Sequence, residues 1–192
     1  DGSFRPAVSG RTFQVENPKN GSTLVEVAEG AAEDIEIAVT SAERAFPVWS
    51  ALTGAERGDI MHRAADVLRR RLPDLVSLEV DQIGRPRREM AAQLARLPEW
   101  FAYFGAVART HEDTVPPFTG NYLNYTRRVP LGLVGHVTPW NHPLLIHTKK
   151  VAPSLAAGNT MVVKPSELAP ITPLLLGEIL KEAGVPDGVY NV

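Results

Sequence analysis

Three polar side chains, Asn141, Lys164 and Glu167, stand just past the ends of two apolar runs. The first run, Gly132-Leu133-Val134-Gly135-His136-Val137, is short and contains β-branched residues, and it reads as a buried strand. Thr138-Pro139-Trp140-Asn141-His142-Pro143 then breaks it, because proline donates nothing to a strand ladder. The second run, Thr160-Met161-Val162-Val163, reads as another buried strand and ends in the polar loop Lys164-Pro165-Ser166-Glu167. An asparagine held on a rigid turn can give its amide to a developing oxyanion, so Asn141 is a candidate donor. A lysine and a glutamate three residues apart, Lys164 and Glu167, could hold the hydroxyls of a ribose. An equally simple reading makes Asn141 a turn residue and leaves Lys164 and Glu167 solvated.

The elements between these residues decide whether they meet. Residues 144–157 have helical spacing, with Leu144, Ile146, Val151 and Leu155 on the apolar side. Pro153 is expected to kink that helix or end it early. Gly158-Asn159 offers a stop, since either residue tolerates the left-handed conformation. Strand, helix and strand make a βαβ unit with a right-handed crossover. Both polar clusters then follow the carboxyl ends of strands, where open α/β sheets bind ligands.

Several ordered motifs carry a resemblance. They are Pro130-Leu131-Gly132, Thr138-Pro139-Trp140-Asn141, Leu155-Ala156-Ala157-Gly158-Asn159-Thr160 and Val163-Lys164-Pro165-Ser166-Glu167. Lys181-Glu182-Ala183-Gly184-Val185-Pro186 and Gly188-Val189-Tyr190-Asn191-Val192 continue them. Asp1-Gly2, Asn17-Pro18, Ala45-Phe46…Trp49 and, more loosely, Leu78-Glu79…Gly84-Arg85-Pro86 extend them towards the start. Together and in this order they resemble the aldehyde dehydrogenase superfamily over essentially the whole chain, as its N-terminal part ending before the catalytic cysteine. The resemblance implies NAD(P)-dependent oxidation of an aldehyde to a carboxylic acid through a thiohemiacetal. Asn141 would donate to the oxyanion. Thr138, Pro139 and Trp140 would line the nicotinamide side with Asn141, and Lys164, Ser166 and Glu167 would form the adenosine-ribose site. A glutamate at Glu167 accepts from the 2′-hydroxyl and repels a 2′-phosphate, which favours NAD; Lys164 could contact a phosphate, which keeps NADP open. His142 stands where the family usually has Phe or Tyr at the border of the substrate tunnel, which suits a smaller or more polar aldehyde. Lys149 replaces a residue that is often apolar, and Lys150 matches a family lysine with a supporting role.

The family's nucleophile is a cysteine, and this chain has none. By the same resemblance, the general base and the glycine-rich pyrophosphate turn would lie beyond Val192. The 192-residue chain alone is therefore expected to be inactive. The alternative is a non-catalytic nucleotide-binding or assembly module derived from the same fold; an unrelated α/β protein is the third reading. The full-length protein is expected to be a homo-oligomer, a dimer or tetramer.

Composition bounds the rest. With 20 Lys and Arg against 22 Asp and Glu, the formal charge is −2 and no nucleic-acid partner is indicated. No apolar run approaches the roughly 20 residues of a membrane span. No signal pattern opens the chain, and without cysteine there is no disulfide framework or thiolate metal site. His62 and His111 have no metal partners at a useful spacing. A cytoplasmic setting is the default expectation.

In chain order, 12–15 and 23–27 read as a peripheral hairpin around Asn17-Pro18-Lys19-Asn20-Gly21. Residues 31–46 form an amphipathic helix burying Ile35, Val39, Ala42 and Phe46. Thr53-Gly54-Ala55-Glu56 is a capping box. Its helix carries the basic run Arg69-Arg70-Arg71, and Pro73 is expected to start a separate helix that Gly84 stops. Residues 88–108 make one helix kinked at Pro98. Its aromatic cluster, Trp100, Phe101, Tyr103 and Phe104, reads as core. Residues 121–129 read as a long strand, which by resemblance belongs to a bridging sheet that builds oligomers. A helix over 170–183 and a third parallel strand from Val189 follow. The predicted fold is α/β: N-terminal helices (1–113), a linker and oligomerisation strand (114–130), then the βαβαβ half of a doubly wound, Rossmann-like NAD-binding domain (131–192).

Overall fold

The computed structural model describes residues 2–192; Asp1, part of one resembling motif, lies outside the described residues. The chain opens with the expected hairpin, β1 (Thr12–Glu16) and β2 (Thr23–Ala28), paired antiparallel with an irregularity at Val15/Glu16. Asn17 closes the turn: its Oδ1 accepts from Lys19 N–H at 2.9 Å.

Helix α1 (Ala32–Ala51) runs five residues past its predicted end and through Pro47. The Asp34 carboxylate accepts from Ala31 N–H and Val8 N–H, each at 2.9 Å, and these two bonds hold its pKa below the usual carboxylate value. Its buried stripe is Ser41, Ala42, Ala45 and Trp49. Ile35, expected on that stripe, is exposed, because the stripe that meets the sheet begins a turn and a half later.

Helix α2 (Gly54–Ile83) is a single element of 30 residues, not two. Its capping box forms as predicted: Thr53 Oγ1 accepts from Glu56 N–H, and the Glu56 carboxylate accepts from Thr53 N–H at 2.7 Å. Pro73 does not start a new helix. Pro73 and Arg69 are both exposed, so the Arg69 carbonyl that loses its partner faces water while Leu68, Leu75 and Val76 stay in one core. Gly84 ends α2 at φ 70°, a left-handed cap. The basic run is neutralised by neighbours: Arg69 by Asp66, Arg70 by Glu182 and Arg71 by Glu178.

The predicted 88–108 helix is broken in two, α3 (Arg87–Leu94) and α4 (Leu97–Thr110), with Pro98 in the first turn of the second. Pro98 and Leu94 are both buried. A continuous helix would leave the Leu94 carbonyl unpaired inside the core, so the chain breaks there. Of the aromatic cluster, Phe101 is fully buried, Trp100 and Phe104 are packed against the core, and Tyr103 is exposed.

Residues 121–129 do not form the expected strand. They are exposed, and one backbone bond, Thr126 N–H to Thr114 O at 2.8 Å, ties the segment back. Without a neighbouring strand a ladder has nothing to pair with.

The remainder is βαβαβ as predicted: β3 (Leu133–Val137), α5 (Pro143–Ala156), β4 (Thr160–Lys164), α6 (Ile171–Ala183) and β5 (Tyr190–Asn191). The three strands are parallel in the order β3-β4-β5. Pro153 neither ends α5 early nor breaks it; Gly158, at φ 87°, follows its end. β4 is central and mostly buried, whereas β3, expected to be buried, is a half-exposed edge with Val137 on its open side. Helices α2, α4, α5 and α6 and strand β4 contribute to one continuous apolar core with Trp49 of α1. Trp49 Nε1–H donates to Leu155 O at 3.2 Å, fixing α1 against α5. Among the described residues, no helix is long and apolar enough to cross a membrane, and no cluster of three or more His, Asp or Glu could hold a metal ion.

Candidate active site

Parallel pairing places the two polar clusters at the same level. Val137 is in register with Lys164, and one residue on, Thr138 N–H donates to Lys164 O at 3.1 Å. The 138–142 turn and the 164–167 loop therefore leave neighbouring strands side by side at their carboxyl ends, the place where α/β sheets bind ligands. Lys164 Nζ donates to Glu167 Oε2 at 3.1 Å, and both side chains are well exposed. Glu167 is held below the usual carboxylate pKa by its own backbone N–H and then by the Lys164 ammonium. Ser166 Oγ accepts from Leu168 N–H at 3.3 Å and so shapes the loop. A carboxylate that accepts and an ammonium that donates are a suitable pair for two neighbouring hydroxyls.

The turn between β3 and α5 is anchored on both sides of an exposed middle. Thr138 is buried, while Pro139, Trp140 and Asn141 are exposed. His142 is half-buried: its Nε2 lies 2.9 Å from Arg85 Nη1, and its Nδ1 lies 2.7 Å from Gln93 Nε2. Gln93 Oε1 has no partner as placed. Turning that amide over lets Oε1 accept from an Nδ1–H tautomer while the ring Nε2 accepts from Arg85, which removes the donor–donor contact at Arg85. Burial, and then Arg85 and Lys149, lower the His142 pKa. Lys149 lies over the Trp100 ring, 5.2 Å from its centroid, and Lys150 is exposed.

Two buried groups escape a sequence reading. Glu79 of α2 is fully buried, and its Oε1 accepts from Leu144 N–H at 2.9 Å and from Thr172 Oγ1 at 2.8 Å. Beside it, Gln82 Oε1 accepts from Ile171 N–H at 3.1 Å, and its Nε2 donates to Thr172 Oγ1 at 2.7 Å. One turn of α2 thus caps the first turns of both α5 and α6. Burial pushes the Glu79 pKa up to about 7 against the pull of those hydrogen bonds. Glu79 stands on the same face of α2 as the buried Leu75 and Val76. His147 of α5 is also fully buried. The Tyr190 hydroxyl donates to Pro173 O at 2.6 Å, so His147 Nε2–H must donate to Tyr190 Oη at 2.5 Å. Burial, then His136, pulls the His147 pKa down to about 3.

The comparisons with known proteins agree with this geometry. The family model described as "Aldehyde dehydrogenase family" matches residues 4–192. A crystal structure of PnpE in complex with nicotinamide adenine dinucleotide is 42% identical over 100% of this chain, with a TM-score of 0.98. The NAD+ complex of an aldehyde dehydrogenase from Bacillus cereus is 35% identical over 98% of the chain, with a TM-score of 0.95. An NAD-dependent aldehyde dehydrogenase from Sinorhizobium meliloti is 34% identical over 100% of it, with a TM-score of 0.96. The chain spans 40%, 39% and 39% of those three proteins. Matched over nearly its whole length and superimposing this closely, the chain belongs to the aldehyde dehydrogenase family.

Proposed function

We propose that this chain is the cofactor-gripping and oxyanion-stabilising part of an NAD-dependent aldehyde dehydrogenase. The observation that carries the reading is the shared strand-end level of Asn141's turn and the Lys164–Glu167 pair. Glu167 accepts from the 2′-hydroxyl of the adenosine ribose, and Lys164 donates to the neighbouring oxygen. Thr138, Pro139 and Trp140 border the nicotinamide side, with Ser166 holding the ribose loop in shape. Bound NAD supplies the acceptor for the hydride that leaves the aldehyde carbon. Asn141 donates its amide to the carbonyl oxygen as that oxygen gains negative charge under nucleophilic attack. No cysteine is present in these 192 residues, so the attacking group comes from outside them. His142, held by Arg85 and Gln93, borders the aldehyde and favours a small or polar one.

In this reading residues 1–113 and 131–192 make one cofactor-binding unit and 114–130 links it to other subunits. The support is a run of exposed apolar side chains, Val115, Phe118, Tyr122, Leu123, Tyr125 and Val129. A monomeric solution mass for the whole polypeptide would remove that role.

The test is NADH formation from a panel of aldehydes by the whole polypeptide that carries this chain. Asn141→Ala is expected to lower turnover by about 10²–10³-fold, the cost of losing one oxyanion donor. The isolated 192-residue chain is expected to form no NADH. Wild-type turnover in Asn141→Ala sinks the assigned role.

A further inference from the structure

The turn that carries Asn141 is mounted at three points. Thr138 N–H is fixed to Lys164 O on β4. The His142 ring is fixed by Arg85, from the connection after α2, and by Gln93, from α3. Leu144 N–H is fixed by Glu79 from α2. The third mount differs from the others. It is a buried acidic group set against the first turn of α5, where backbone N–H groups are unpaired and the helix dipole is positive. The same oxygen holds Thr172 at the start of α6. Asn141 itself is exposed, so its direction depends on these neighbours.

We propose that Glu79 is a positioning residue for the oxyanion donor. By holding Leu144 N–H and Thr172 together, it sets where α5 begins and therefore where Asn141, three residues earlier, presents its amide. The proposal rests on the functional reading above, since it needs Asn141 to act on the substrate. Glu79 touches neither aldehyde nor cofactor. Its effect is on aim: a misplacement on the order of 1 Å behind a reacting group can cost about a hundredfold in rate. The Gln82 bonds to Ile171 and Thr172 do not involve Glu79, so α6 is expected to stay in place when Glu79 is changed.

The experiment uses the whole polypeptide with Glu79→Ala, Glu79→Gln and Glu79→Asp. Three quantities are read: kcat and KM for an aldehyde, NAD affinity by fluorescence quenching, and amide exchange at Leu144. Glu79→Ala is expected to lower kcat by about a hundredfold, with KM for NAD and NAD affinity little changed. Leu144 exchange is expected to speed up about tenfold or more. Glu79→Gln keeps the accepting oxygen and is expected to restore kcat. Glu79→Asp keeps the carboxyl group, but its shorter side chain cannot reach both partners, so it is expected to remain slow. This pair decides the matter even if Glu79→Ala fails to fold: a fast Glu79→Asp enzyme overturns the proposal. So does a Glu79→Ala enzyme with normal kcat. If the wild-type protein oxidises no aldehyde, the functional reading fails. Leu144 exchange in the variants then decides the mount by itself: unchanged exchange overturns it, and faster exchange confined to 139–146 supports it.

Discussion

Glu167 illustrates how little an exposed ion pair does for the fold and how much it can do for a ligand. Its bond to Lys164 joins two exposed side chains, and such solvent-screened pairs contribute little to stability. A hydrogen bond from a ribose hydroxyl to a carboxylate is worth more, about 1.5–3 kcal/mol. Glu167→Gln is therefore expected to leave the melting temperature unchanged and to weaken NAD binding about tenfold or more, by titration calorimetry. It also removes the charge that opposes a 2′-phosphate, so the NADP-to-NAD affinity ratio is expected to rise. A melting temperature that falls while both affinities hold would show the residue to be structural. At this scale the sequence was legible in position: Asn141, Lys164 and Glu167 stand just past strand ends, as their local motifs predicted. Glu79 was not assigned because its partners, Leu144 and Thr172, lie 65 and 93 residues away. His142 was placed beside a tunnel, and its grip by Arg85 and Gln93 is likewise a long-range contact that no local pattern reveals.

Prolines and glycines at the element scale carry meaning only together with the face they stand on. Pro47, Pro73 and Pro153 are passed by continuous helices, and the residues four before them, Glu43, Arg69 and Lys149, are all exposed. The freed carbonyls can bond water. Pro98 follows the buried Leu94 by four residues, and there the helix breaks. Sequence patterning supplied the capping box and the hairpin, which depend on neighbours in the chain, but it could not say which face of a helix a proline would occupy. Gly58 and Gly105 show the same rule in packing. Each is an unfavourable helix-interior residue by propensity, yet α2 and α4 cross there. A Cβ on Gly58 would lie 2.6 Å from the Gly105 carbonyl oxygen, and one on Gly105 would lie 3.1 Å from that of Gly58. Gly58→Ala must push two backbones apart, and it is expected to destabilise by about 2 kcal/mol, within the usual range for overpacking. The denaturant midpoint is the measurement, with Gly30→Ala, whose Cβ would meet only an ordinary contact at 3.8 Å, as the comparison. Equal midpoints for the two variants would show that the crossing has slack.

Two buried ionisable groups give the whole molecule a pH response that neither has alone. The βαβαβ topology was legible because strand and helix alternate in sequence, whereas the burial of Glu79 and His147 follows only from how α2, α5 and α6 close on one another. Glu79 has its pKa raised from 4.5 to about 7. Between those values the folded chain holds a proton that the unfolded chain has lost, so its contribution to stability is full below the unfolded pKa and is lost as pH rises towards 7. His147 has its pKa lowered from 6.5 to about 3. Between those values the unfolded chain holds a proton that the folded chain excludes, so its contribution is full above 6.5 and is lost as pH falls towards 3. The two windows overlap between the ordinary pKa of a glutamate and that of a histidine, and there the two slopes oppose. Each is worth about 1.4 kcal/mol per pH unit for one proton. The two contributions are expected to cancel, leaving the unfolding free energy of the wild-type protein nearly independent of pH across about 4.5–6.5 as far as this pair is concerned. Glu79→Gln removes one slope, so its stability is expected to rise with pH through that window, by about 1.4 kcal/mol per unit at most. His147→Gln removes the other, and its stability is expected to fall over the same interval. Chemical denaturation of the three proteins at four or five pH values distinguishes these curves. Parallel profiles for all three would mean that water reaches both groups and that the core joining α2 to α5 and α6 opens readily.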